Sequence, residues 1–208
     1  TYFNNIILPD YDTDPYKIIY ANLSGFPESY GAAANVDVNF MNGLKANMGI
    51  TVMQNKFTDG GVTQQAQLAE RVSGVWSISY TIPKTHITID YTGNAIGPML
   101  LPRLGDLDPR PGKSPFFSIQ NIQVSYHPAK KWSVYGGVKN LLNFTPNRGV
   151  PFLIARANDP FDRQVQFNTD GSVMATPDNP YALTFDPTYG YWANQGIRFF
   201  MGAKITLQ

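Results

Sequence analysis

Two histidines, fifteen carboxylates and no cysteine are what this 208-residue chain offers for chemistry. The missing thiols remove cysteine nucleophiles, disulfides and Cys-based zinc or iron–sulfur ligation. His86 follows Pro83-Lys84-Thr85 and His127 precedes Pro128-Ala129-Lys130-Lys131, both in segments that read as tight turns, so each is expected to be wetted rather than to share a metal. No Gly-x-Ser-x-Gly elbow, His-Glu-x-x-His helix or phosphate-cradling Gly-rich loop occurs. Asp90 set against Lys45 or Lys204 could be a catalytic pair, but a solvated salt bridge on a wet wall accounts for it more simply. Neither histidine falls on a polar strand face beside a serine. No catalytic residue, metal site or cofactor is expected.

Charges that could hold a ligand crowd two long loops. Arg103, Asp106, Asp108 and Arg110 lie in one; Arg148, Arg156, Asp159, Asp162 and Arg163 lie in the next. The aromatic stretch 185–192 adds Tyr189 and Trp192, which could stack on a flat ligand or pack the loop onto its neighbours. Loops carry binding while strands hold them, so the candidate ligand contacts are Arg103, Asp106, Asp108, Arg110, Arg156, Asp159, Asp162, Tyr189 and Trp192. Together they suit an anionic or metal-chelate solute, against the plainer reading that they only solvate the surface. The four aspartates do not form a twelve-residue calcium loop.

The segments that position these loops follow a repeated pattern of two-residue alternation. Residues 17–40 read as one long strand in which Ala34, Val36, Val38 and Phe40 alternate with Asn35, Asp37 and Asn39. An Asn42-Gly43 turn leads to a second, with Leu44, Ala46, Met48, Ile50 and Val52 opposite Lys45, Asn47 and Thr51. A polar loop over 57–70 precedes the third, 72–81, and the turn 82–85 leads to the fourth, which gives way to a long loop over 93–115. The fifth, 116–126, changes phase near Gln120-Asn121, which a bulge would reconcile. The sixth starts at Trp132, and after a long irregular segment, 143–194, the seventh runs from Ile197 to the end.

Seven strands with tight turns at one end and long loops at the other are expected of a transmembrane barrel. Lys45, Asn47, Asp90, Lys139, Arg198 and Lys204 would then face a wet lumen while their neighbours meet lipid. Trp76, Tyr80, Tyr91, Tyr126 and Trp132 are expected to form an interfacial girdle beside the tight turns. Composition agrees: aromatics reach 13% and charged residues only 15%, against about a quarter in soluble domains. Sixteen basic and fifteen acidic residues leave no electrostatic footprint for nucleic acid. No apolar run approaches the roughly 18 residues of a membrane-spanning helix. Residues 1–5 lack the features of a signal peptide, so the chain is expected to be a mature or truncated piece of a longer precursor.

The run Val134-Tyr135-Gly136-Gly137-Val138-Lys139-Asn140-Leu141-Leu142-Asn143-Phe144 resembles the penultimate strand of TonB-dependent receptors, an apolar strand followed by Gly-Val-x-Asn-Leu-Phe-Asp. Tyr20-Ala21-Asn22 and Tyr30-Gly31 resemble a Tyr-x-Asn and Gly-Val-Glu strand of the same receptors, without its acidic residue. Gln195-Gly196-Ile197-Arg198-Phe199-Phe200-Met201-Gly202 is similar to the closing strand of Bacteroidetes members. The resemblance implies that residues 1–208 are the C-terminal part of a barrel of roughly 22 strands, with residues 1–16 in an external loop and the plug and N-terminal strands outside this chain. It implies a Gram-negative outer-membrane receptor for energy-coupled import of a scarce nutrient, such as an iron-siderophore, haem, cobalamin or another metal complex. Oligosaccharides and peptides are alternative cargoes. Its partners would be the remaining strands and plug, the TonB complex acting through that plug, outer-membrane lipid and a surface lipoprotein. Two other readings stay open: a self-contained eight-strand barrel, pore or adhesin, with residues 2–8 as its extra strand, and a soluble glycan-binding β-sandwich.

Overall fold

Alternating side chains satisfy a strand only if neighbouring strands take up the backbone hydrogen bonds, and here they do so in one antiparallel sheet. The computed structural model describes residues 7–10, 19–22, 25–103, 110–129, 131–146, 148, 166–170, 174–178 and 190–206. Its strands are β1 (Ile7–Asp10), β2 (Ile19–Asn22), β3 (Phe26–Asn39), β4 (Leu44–Asp59), β5 (Val62–Gln65), β6 (Val72–Ile82), β7 (Ile87–Ile96), β8 (Phe117–Ala129), β9 (Trp132–Lys139) and β10 (Arg198–Ile205). The sheet has the order β10-β9-β8-β7-β6-β4-β3, with β5 paired to β4 off this path. The seven strands of the sequence reading all appear, paired in chain order. Among the described residues, β3 and β10 each pair on one side only.

The structure revises several details of that reading. The expected strand over 17–40 is divided at Gly25. β2 pairs with β1 as a separate hairpin, whereas β3 pairs with β4 from Phe26↔Thr58 to Asn39↔Lys45. A side chain at position 25 would run into the backbone carbonyl of Thr58. Of the residues 2–8 that the eight-strand alternative would use as its extra strand, Ile7 and Leu8 pair with Asn22 and Ala21 of β2, and residues 2–6 lie outside the described residues.

The segment over 57–70, expected to be an irregular loop, begins as a hairpin. β4 pairs with β6 up to Val52↔Val72, then continues to Asp59 and pairs with β5. Gly60 and Gly61 both have positive φ, 54° and 83°, the conformation a two-residue type I′ turn demands. The Thr58 and Thr63 hydroxyls close the pair at 2.9 Å. The 10 residues of β7 rise about 34 Å and, tilted near 45°, span about 24 Å, close to the apolar band of outer-membrane barrels. The 16 residues of β4 are longer than such a band requires.

The phase change in β8 is not a bulge. β7 and β8 stay in register from Ile87↔Tyr126 to Ile96↔Phe117 without a break at Gln120-Asn121, and the irregularity falls instead between Tyr126 and Ala129, beside the tight turn. The sequence alternation therefore reverses on an unbroken strand. Phe117 and Ile119 stand on the otherwise polar face, where loops cover them, while Ser118 and Gln120 stand on the otherwise apolar one. Gln120 Oε1 accepts a hydrogen bond from the Tyr91 hydroxyl at 2.8 Å.

Candidate functional site

Register fixes which side chains share a face, because Cα partners point the same way. One face collects Val36, Met48 and Trp76 in one row, Ala34, Ile50 and Gly74 in the next, and Leu44, Tyr80, Ile89, Val124, Gly136 and Met201 in another. Its large residues are bare: Ile50 is 53% exposed, Phe199 78% and Met201 89%. Apart from Pro102 and Pro146, only five apolar side chains are buried among those described, namely Ala46, Ile96, Met99, Leu101 and Phe117. An apolar wall left open over much of the sheet, with no second layer against it among the described residues, calls for apolar surroundings. Tyr80, Tyr126 and Trp132 sit on this wall beside the tight turns, as a girdle requires. Trp76 and Tyr91 do not: they lie mid-strand with ring centroids 6.1 Å apart, and the Trp76 indole lies over the bare backbone of Gly93.

The opposite face is polar. Lys45, Ser79, Asp90 and Gln123 form one row, and Asp37, Asn47, Ser77, Thr92 and Asn121 the next. Lys139 is the direct partner of Arg198, and Lys204 that of Ser133. All six residues expected to line a lumen thus share one face. Asp90 stands two strands from Lys45, a backbone separation of about 10 Å, with Ser79 between; Lys204 lies three strands away on β10. His86 is exposed in the β6–β7 turn, whereas His127, also exposed, lies near the end of β8 and not in a turn; the His127 N–H donates to the His86 carbonyl at 2.9 Å.

At the loop end of this polar face an apolar cluster anchors the long connections. Phe117 stacks on Phe144 at 4.4 Å with a 4° interplanar angle, and meets Trp192 edge-on at 5.2 Å and Tyr191 at 5.9 Å. Ile96, Met99 and Ile119 complete it. The Tyr191 hydroxyl donates to the Pro146 carbonyl at 3.4 Å, and burial raises its pKa above the ordinary 10.0. The neighbouring loop is tied down as well: Leu100 pairs with Lys113, the Met99 N–H donates to Ser114 Oγ at 2.9 Å, and the Leu68 N–H reaches the Leu100 carbonyl at 2.8 Å.

Asn140 clamps the two ends of the β9–β10 connection. It adopts φ 55°, a left-handed conformation that Asn tolerates better than most residues. Its buried amide donates to the carbonyls of Phe144 (2.7 Å) and Gln195 (2.9 Å), while its Oδ1 accepts from the Phe144 N–H at 3.0 Å. Its own N–H donates to Asn121 Oδ1 at 3.1 Å. Asn143, at φ 50°, accepts the Ile197 N–H at 2.9 Å, and a Cβ on Gly196 would come within 2.6 Å of that same Oδ1. The residues that carried the two best sequence resemblances are therefore one hydrogen-bonded clasp.

Of the expected loop contacts, Arg103 is exposed and Arg110 is buried at the loop base. Trp192 is half-buried in the aromatic cluster. Asp106, Asp108, Arg156, Asp159, Asp162 and Tyr189 lie outside the described residues, as does Arg163. Sequence reasoning missed Phe117, Phe144, Asn121 and Asn143 as parts of the loop base. The reversal of alternation in β8 was the available signal.

No protein-family model matches the chain, and no curated protein sequence does. Solved structures do. The ferric-catecholate import receptor Fiu of E. coli K12 aligns with a TM-score of 0.58 and 11% identity over 98% of this chain and 24% of that one. The ferripyoverdine receptor of the Pseudomonas aeruginosa outer membrane gives 0.51 and 14% over 69% and 20%. The FrpB iron transporter of Neisseria meningitidis gives 0.50 and 14% over 70% and 24%. The chain thus spans at most 24% of the length of these three proteins. At such identities the likeness is one of fold: the sheet matches an antiparallel segment of the large β-barrels of those proteins.

Proposed function

We propose that this chain forms part of the barrel of a TonB-dependent outer-membrane receptor that imports a scarce solute, with an iron-siderophore, haem, cobalamin or other metal complex as its cargo. The observation that carries the reading is the division of the sheet into an exposed apolar face and a polar face, with long, anchored loops at one end of the strands and tight turns at the other. The three structural relatives, a ferric-catecholate import receptor, a ferripyoverdine receptor and an iron transporter, support iron chelates over the other cargoes. On this reading the apolar face meets lipid, and the polar face encloses the plug and the solute path. The loops catch the solute outside, and the TonB complex, pulling on the plug, supplies the work. Catalysis has no part in it.

The test is uptake of radiolabelled iron chelates by iron-starved cells with and without the intact protein, repeated after collapse of the inner-membrane proton gradient. Uptake that needs the protein and stops on uncoupling is the expected result. Uptake that needs the protein but continues after uncoupling would make it a passive pore.

A further inference from the structure

The last two strands carry a cation pair that no carboxylate neutralises among the described residues. Lys139 and Arg198 are direct cross-strand partners on the polar face, and both are exposed. Like charges placed so are destabilising when unpartnered. β8, β9 and β10 contain no aspartate or glutamate. The nearest carboxylate on this face, Asp90, belongs to β7 and to the row of Gly137. Asn121, which borders β9, is engaged elsewhere: its Oδ1 accepts from the Asn140 N–H and its amide donates to Thr92 Oγ1 at 3.3 Å.

Beneath the pair lies an aromatic floor. Phe200 pairs with Gly137 and Tyr135 with Gly202, each ring lying over the glycine opposite; a Cβ on Gly137 would come within 2.7 Å of Phe200 Cζ. The two rings are 6.4 Å apart and tilted by 53°, and Lys139 Nζ stands 5.4 Å from the Phe200 centroid. The glycines lower the floor on the side where the cations stand. A guanidinium fork beside an ammonium over aromatic surface is suited to a carboxylate or phosphate oxyanion, which Arg takes in two parallel hydrogen bonds.

The geometry points to an oxyanion-binding site built by Lys139 and Arg198. It rests on the proposed function only in taking the polar face as the enclosed one. The anion is a carboxylate or phosphate-like group, from a free solute or from an acidic side chain held inside the barrel.

Phenylglyoxal labelling of the intact protein in detergent, with Arg198 followed by peptide mass spectrometry and inorganic phosphate as the probe anion, tests the site and separates the two sources. A free-solute site predicts that Arg198 reacts readily in chloride and at least tenfold more slowly in phosphate at equal ionic strength, and that Lys139→Gln, but not Lys139→Arg, abolishes the protection. An internal carboxylate predicts that Arg198 is already protected at least tenfold relative to the unfolded protein, that phosphate adds nothing, and that Lys139→Gln speeds the reaction at least threefold. Reaction at the unfolded rate regardless of phosphate overturns the proposal. So does protection indifferent to the Lys139→Gln change, which would be shielding by bulk alone. The labelling reads no transport, so its failure leaves the uptake result standing, and the reverse.

Discussion

At the scale of single residues, Asn140 concentrates more consequence than any charged side chain in the described structure. It satisfies two carbonyls and one N–H that no regular strand supplies, and its backbone occupies a region costly for most side chains. Asn140→Ala removes all three bonds and strains φ, so the loop base should lose about 2–5 kcal/mol of local stability. Hydrogen exchange in the intact protein measures this directly. The Phe144 N–H should exchange at least tenfold faster in Asn140→Ala, and Asn140→Gly, which relieves φ but not the lost bonds, should recover only part of the difference. Unchanged exchange at Phe144 would mean that the clasp holds nothing. The importance of this residue was legible in the sequence as a pattern, Val138-Lys139-Asn140-Leu141, but its reason was not. Two of its partners, Gln195 and Asn121, lie 55 and 19 residues away, and no local periodicity brings them together.

At the scale of elements, alternation exposed the seven strands and their order because each has one apolar row, and a slip of a single residue would turn that row to the wrong face. What alternation could not show was where tertiary covering changes the rule. In β8 the apolar residues cross to the polar face where loop aromatics wait to cover them, so a pattern break that suggests a bulge marks a packing site instead. The β4–β5 hairpin was hidden for a different reason: neither of its faces carries a continuous apolar row, and Lys56, Thr58 and Gln64 read as loop. The face assignment itself is testable with adjacent residues of β4. Met48, 49% exposed on the apolar face, should tolerate arginine badly, at about 2–4 kcal/mol near the midplane of a bilayer. Asn47, on the polar face, should accept arginine with little change. Outer-membrane yield and the heat-modifiable gel shift of the two variants compare the costs; equal yields would remove the case for a lipid-facing wall.

At the scale of the whole molecule, the decisive feature is that β3 and β10, at the two ends of the sheet, are each paired on one side only among the described residues. Along an edge strand every second residue points its N–H and C=O away from its neighbour. β3 has 14 residues and β10 has 8, and each such group left bare in hydrocarbon costs several kcal/mol. The total is on the order of tens of kcal/mol, beyond the usual net stability of a folded domain, about 5–15 kcal/mol. Burying the apolar face in lipid cannot offset it, because that gain is equally open to a sheet whose edges are closed. The 208 residues expressed alone and refolded into lipid vesicles should therefore give no heat-modifiable monomer at 23.1 kDa. Adding the complementary barrel strands, in the same polypeptide or as a second chain, should restore the folded band. A compact monomer that forms from the isolated chain would require β3 and β10 to find each other, which would make a small closed barrel and leave no wall to enclose a plug.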